Sequence, residues 1–275
     1  MPSIAVNGTE LFYQIYAESA APAQETLVFS HGFLMNHTMF SGQIAVLKKH
    51  FRCIAFEHRG HGQSALARDG YRMDNLVTDA IALLDALNEQ YAFGPVHFAG
   101  MSTGGFVGMR LALRRPDLLK SLALISTSAE SEPAQSLGKH KLLLNLVRYL
   151  GWWTVIGQVM PMLFCPDYLR NPANRATVAY WREVLISQDK RAMIAFGKAI
   201  FARDNVLTKL AELTLPVAVM VGDEDVLTTP EQAERMAAAV KQARLYTIPA
   251  AGHGAAIEKA EQVTAALLDF YGLAA

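Results

Sequence analysis

A chain of 275 residues, 52% hydrophobic and 18% charged, is long enough to bury a substantial core and too apolar to be disordered. Its 25 Lys and Arg balance 25 Asp and Glu, and no basic stripe breaks that balance, so no electrostatic footprint for nucleic acid is expected. The two cysteines, Cys53 and Cys165, lie far apart in apolar surroundings and read as buried free thiols rather than a disulfide framework.

The opening segment, MPSIAVNGTELFY, lacks the basic and apolar regions of a secretory signal, and no apolar run reaches the ~18 residues that span a bilayer. A cytoplasmic protein without a membrane span is the expectation. Ile4 to Val6 and Leu11 to Tyr16 flank Asn7-Gly8, a dipeptide suited to a tight hairpin turn, so two antiparallel strands should open the chain. Leu27 to Ser30 reads as a buried strand delivering the glycine loop His31-Gly32-Phe33. Arg52 to Phe56 is a second such strand, followed by the loop Glu57-His58-Arg59-Gly60-His61-Gly62-Gln63-Ser64. Met73 to Leu87 carries apolar residues at helical spacing, with Asp74 as the expected N-cap.

Val96 to Ala99 is an apolar strand that runs into Gly100-Met101-Ser102-Thr103-Gly104-Gly105, and a helical pattern follows from Phe106 to Arg114, stopped by Pro116. Strand, sharp turn and helix with a serine at the apex match the G-x-S-x-G pattern of a nucleophile elbow, where glycines leave room for backbone to pass against backbone. Leu118 to Ser126 adds another strand. From about Ser128 to Asn205 the strand signal stops. Helical patterns take over at Leu142 to Leu150, Trp153 to Met160, Ala176 to Ile186 and Arg191 to Ala202, and all three tryptophans, Trp152, Trp153 and Trp181, lie in this stretch. Alternation resumes with a strand at Val217 to Val221, a helix at Glu231 to Val240, a strand at Arg244 to Ile248 and a closing helix at Ala260 to Tyr271. The pattern predicts an α/β fold with a mostly parallel sheet of about eight strands flanked by helices. Residues 1–128 and 206–275 form the expected core, interrupted by a helical insertion over residues 129–205.

In an open parallel sheet, functional groups gather at the carboxyl ends of strands. Four expected strand ends carry suggestive residues: His31-Gly32-Phe33, Ser102, the GDEDVLTTP segment from Gly222, and His253 in AAGHGAA. A serine hydroxyl needs a neighbouring base to become a nucleophile, and that base needs an acid to hold its tautomer. The order serine, acid, histidine is the order of one hydrolase fold.

On these motifs the chain resembles the α/β-hydrolase superfamily, and within it the capped esterase, lactonase and enol-lactonase group. The resemblance implies Ser102 as nucleophile and His253 as general base. It also implies backbone N–H groups of Phe33 and Thr103 as the oxyanion hole, His31 as a brace of that loop, and residues 129–205 as a cap. For the acid, Asp223, Glu224 and Asp225 are close together in sequence. The family's spacing after the glycine selects Asp225, with Asp223 as the alternative. The family often has aspartate where this chain has Glu57.

His58 and His61 have no apparent third ligand, and the resemblance implies no metal and no cofactor. His97 reads as a hydrogen-bonded residue of a buried strand. The apolar segments LLLNLV, GWWTVIG and VMPMLF are expected to line a pocket with Met101 and Phe33 beneath, and the absence of a basic cluster over residues 142–164 argues against a highly charged substrate.

The implied reaction is hydrolysis of a carboxylic ester or lactone with an apolar acyl or ring group through an acyl-enzyme, with that small molecule as partner. A homodimer is compatible with the sequence. Ser102 argues against the aspartate-dependent dehalogenases and epoxide hydrolases of the superfamily. Gly254 and Ala255 after His253 argue against carbon-carbon bond hydrolases, which commonly have tryptophan there. A cofactor-free perhydrolase and a non-catalytic ligand receptor on the same fold are the alternatives.

Overall fold

The structure, a computed structural model, describes residues 2–17 and 24–273; of the expected core, residues 1, 18–23 and 274–275 lie outside them. Eight strands form one sheet: β1 (Ser3–Val6), β2 (Thr9–Tyr16), β3 (Thr26–Ser30), β4 (Arg52–Phe56), β5 (Val96–Met101), β6 (Leu119–Ile125), β7 (Val217–Gly222) and β8 (Ala243–Ile248). Their spatial order is β1-β2-β4-β3-β5-β6-β7-β8. The first two strands are antiparallel and the remaining six pair parallel.

Local sequence explains this order. Val6 pairs directly with Thr9, leaving Asn7 and Gly8 as a two-residue turn with φ of 45° and 72°, the left-handed values such a turn requires. β3 is buried along its whole length, as expected of a strand covered on both faces by helices. Ser41–Leu47 packs against Ala260–Tyr271, while Met73–Tyr91 packs against Thr103–Arg114.

Several expected boundaries move. Asp74 is not the N-cap of its helix: Arg72 holds that position, and Asp74 sits in the first turn paired with Arg114, where its charge favours the helix N-terminus without capping it. A 3-10 turn over Pro116–Leu118 delays β6 to Leu119. The first helix of the insertion begins at Ala134, directly after Pro133, and not at Leu142 as expected, since its polar opening turns carry no apolar face to mark them in the sequence.

Between β6 and β7 the described residues form only helices, chiefly Ala134–Leu150, Ile156–Leu163, Pro166–Arg170, Arg175–Ser187 and Lys190–Phe201. Part of this insertion shares the main core: Trp181, Leu185, Met193 and Phe196 pack into the same cluster as the sheet residues. Leu143, Leu144, Val147, Val155 and Ile194 form a second, smaller cluster. No helix among the described residues is long and apolar enough to cross a membrane.

Candidate active site

The chain turns sharply where β5 ends. Ser102 has φ 52° and ψ −112°, a region that a residue with a β-carbon rarely adopts, and the helix Thr103–Arg114 starts at the next residue. Glycines make the turn possible by close approach. A β-carbon on Gly104 would lie 2.0 Å from the Ser30 carbonyl oxygen, and one on Gly100 would lie 2.3 Å from the Gly104 carbonyl oxygen. The Ser102 N–H donates to the Ile125 carbonyl (3.0 Å), and its carbonyl accepts from the Thr127 hydroxyl (2.7 Å) and the Phe106 N–H (3.0 Å). Backbone bonds thus fix the strained residue, while its hydroxyl has no hydrogen-bond partner among the described residues.

His253 follows β8 and Asp225 follows β7, and the two meet 28 residues apart in sequence. His253 Nδ1 lies 2.9 Å from Asp225 Oδ2 and 3.1 Å from Oδ1. A carboxylate only accepts, so Nδ1 carries the hydrogen and Nε2 is left with a free lone pair. Asp225 also accepts from the Leu227 and Thr228 N–H groups (2.9 Å each) and from the Thr228 hydroxyl (2.8 Å). Burial pushes this carboxyl up, but these donors, and the positive charge of His253 whenever its imidazole is protonated, outweigh it and hold it below the usual carboxylate value. Asp223, the alternative acid, is exposed and accepts instead from the Ala251 N–H (3.3 Å).

The histidine loop is fastened on both sides. Glu258 accepts from the Gly252 N–H (3.0 Å) and from the Cys165 N–H (2.9 Å), and the Gly254 N–H donates to the Leu163 carbonyl (2.6 Å). Residues 252–254 are therefore tied to the insertion.

The backbone N–H groups of Phe33 and Thr103 have no hydrogen-bond partner among the described residues, and Thr103 opens a helix, where N–H groups point outward and the dipole favours negative charge. The Phe33 loop is braced from below. His31 Nδ1 donates to the Gly32 carbonyl (2.8 Å) and Nε2 accepts from the His58 N–H (3.0 Å), while His61 Nε2 accepts from the Leu34 N–H (3.3 Å). Glu57 accepts from His37 Nδ1 (2.7 Å) and the Gln63 N–H (2.5 Å), so the longer acid joins the two loops. His97 is half-buried and contacts the Ser121 hydroxyl (2.7 Å) and Glu25 (2.9 Å). Cys53 and Cys165 are both free and buried.

Ser102, Thr103, Phe33, Thr228 and His253 line one cavity of about 140 Å³, roofed by the insertion through Leu143, Val147, Trp152, Val159 and Leu163. Met101, expected beneath this pocket, does not line it: its side chain is buried, with the sulfur packed beside Gly32. Three polar residues missed at the sequence level also line the cavity, namely Glu132, His140 and Arg203. They lie outside the apolar stretch of residues 142–164, and only the fold brings them to the same cavity. Thr228 and Glu258 were missed too, since their roles depend on neighbours distant in sequence.

Parallel sheet, serine elbow and histidine-acid pair together define the class: the chain is an α/β hydrolase. It belongs to the Hydrolase_4 family, described as serine aminopeptidase of peptidase family S33, whose model matches residues 21–260. It is 28% identical over 231 residues to 3-oxoadipate enol-lactonase 2 of Acinetobacter baylyi, covering 82% of this chain and 80% of that protein. The enol-lactonase of Burkholderia xenovorans superimposes with a TM-score of 0.90 at 30% identity, covering 98% of this chain and 100% of that one. An esterase of Thermogutta terrifontis gives 0.87 at 26% identity, covering 98% and 96%.

Proposed function

We propose that the protein hydrolyses a carboxylic ester or lactone through an acyl-enzyme on Ser102. The observation that carries this reading is the strained, unpartnered serine on the same cavity as the buried His253–Asp225 pair. The enol-lactonase names of its relatives support a lactone, and the apolar cavity walls support an apolar acyl or ring portion.

In the first step Ser102 Oγ attacks the carbonyl carbon and its proton passes to His253 Nε2. Asp225 stabilises the imidazolium that forms, and the N–H groups of Phe33 and Thr103 take the developing oxyanion. The carbon-oxygen bond to the leaving group then breaks and His253 returns the proton to it; in a lactone that alcohol stays attached to the acyl group. Water next gives a proton to His253 while its oxygen adds to the acyl carbon. Collapse releases the acid and restores the Ser102 hydroxyl. Residues 129–205 act as the cap that closes over the acyl group in this scheme.

Turnover of short-chain nitrophenyl esters tests the reading. Ser102→Ala should lower kcat by on the order of 10³-fold or more while the fold, read by circular dichroism, is kept. Retention of most of the activity would overturn the nucleophile assignment, and tight binding without turnover in the wild type would favour a receptor.

A further inference from the structure

The charge of the chain sums to zero but is unevenly placed. The helices of the insertion, residues 134–201, hold nine Lys and Arg against three Asp and Glu, a surplus of six positive charges that the rest of the molecule offsets. Among the described residues only Arg170 of the nine has an ion-pair partner, Asp167. Apolar side chains are exposed on the same part of the molecule. Leu142, Tyr149 and Leu150 on the helix Ala134–Leu150, and Trp153 in the turn that follows, are between 58% and 76% exposed. The apolar segments expected to line the pocket therefore divide: Leu143, Leu144, Val147 and Trp152 line the cavity, and these four do not.

Helical spacing gathers the exposed residues. Leu142, half-buried Leu146, Tyr149 and Leu150 recur at intervals of four, three and one, so they form one stripe along the helix. Lys141 and Arg148 each precede a stripe residue by one position and run beside it. Trp153, in the turn where the stripe ends, lines a groove with Arg170, Arg175 and Arg182. The Arg182 guanidinium lies 5.7 Å from the centre of the Trp153 ring, a cation over an aromatic face.

Single exposed apolar residues need no explanation, but a contiguous stripe bordered by cations marks a contact surface. Charge decides what covers it. A second copy set on this face would bring two positive surfaces together, and nucleic acid would meet the cations while leaving the leucines uncovered. An anionic lipid surface meets both needs. Leucines enter the boundary between headgroups and acyl chains, Trp and Tyr sit at headgroup level, and Lys and Arg extend their charges to the phosphates. The opposite face of the same helix roofs the cavity, so a docked molecule holds that cavity about one helix diameter, ~10 Å, from the lipid.

We propose that Leu142, Tyr149, Leu150 and Trp153, with Lys141, Arg148 and Arg182, dock the protein on the surface of an anionic phospholipid bilayer. Charge draws the molecule to the surface and the apolar stripe holds it there. This goes beyond the hydrolase reading and is tested without reference to turnover.

The test is co-sedimentation of the intact protein with vesicles of phosphatidylcholine alone or mixed equally with phosphatidylglycerol. Binding to the mixed vesicles should exceed binding to phosphatidylcholine by about tenfold or more and should weaken as salt is raised. Tyr149→Ser with Trp153→Ser, and separately Lys141→Glu with Arg148→Glu, should each weaken binding to the mixed vesicles by about tenfold or more. Thermal unfolding checks that these surface variants keep the fold. Tryptophan emission should move to shorter wavelength on binding, and Trp153→Phe should lose most of that shift. Absence of binding to the mixed vesicles, equal binding to both lipids, or undiminished binding by both double variants overturns the inference. So does a protein that is dimeric without lipid and becomes monomeric on Tyr149→Ser with Trp153→Ser, since a second copy would then occupy the face.

Discussion

Asp225 shows how a buried carboxyl is kept charged. It is withdrawn from water, which alone would favour the neutral acid, yet it faces four donors: two backbone N–H groups, the Thr228 hydroxyl and His253. Their sum holds it ionised. The histidines that brace the Phe33 loop are set the opposite way. Burial pushes His31 down to about 4 and lowers His58 and His61 well below the ordinary value, with nearby histidines adding to the effect on the latter two. All three are therefore neutral in the folded protein at neutral pH, whereas in the unfolded chain they take up protons near pH ~6.5. As pH falls below that value the unfolded state binds protons that the folded state refuses. The chain should therefore lose stability progressively as pH falls through that range. Denaturant midpoints measured between pH ~7.5 and ~5 should drop accordingly, with full stability recovered above pH ~7. Equal midpoints across that range would contradict the neutral assignment.

At the scale of elements, the loop carrying His253 is held by the insertion as much as by the sheet. Glu258 bridges Gly252 and Cys165, and no room is left between them: a β-carbon on Gly252 would lie 2.7 Å from the Cys165 nitrogen. Burial raises the Glu258 carboxyl, and the two N–H donors work against that rise. Glutamine has one acceptor oxygen where two are needed, so Glu258→Gln would leave one buried N–H facing another donor. The expected cost is ~1–3 kcal/mol of stability, with a fall in kcat larger than any change in KM. Thermal unfolding and steady-state kinetics on the same sample check this; a variant with wild-type stability and kcat would show that the bridge does not position the loop. None of this was legible in the sequence, because Glu258 and Cys165 are 93 residues apart and carry no shared motif. The elbow was legible, since its strand, glycines and helix are contiguous. The helix that opens the insertion was legible only where its apolar face begins, near Leu142, and not in the polar turns from Ala134.

For the molecule as a whole, alternation of strand and helix patterns disclosed the class of sheet, and the strand ends disclosed where functional groups would gather. The order of strands explains why that works. β5, bearing Ser102, lies inside the sheet between β3, which delivers Phe33, and β6, with β7 and β8 following on one side to bring Asp225 and His253. Residues drawn from four segments of the chain thus meet at one cavity. What the sequence could not disclose is the cavity's polar wall. Arg203, Glu132 and His140 belong to different segments of the insertion, and only folding brings them against the same space. The apolar stretches between them dominate any local reading.

The central claim is that Ser102 is the nucleophile of this cavity, and covalent labelling tests it most directly. Incubation of the intact protein with a fluorophosphonate, followed by mass spectrometry and peptide mapping, should show one added phosphonyl group, located on Ser102 and absent in Ser102→Ala. A label on another residue, or no label in a folded wild-type protein, would contradict the account.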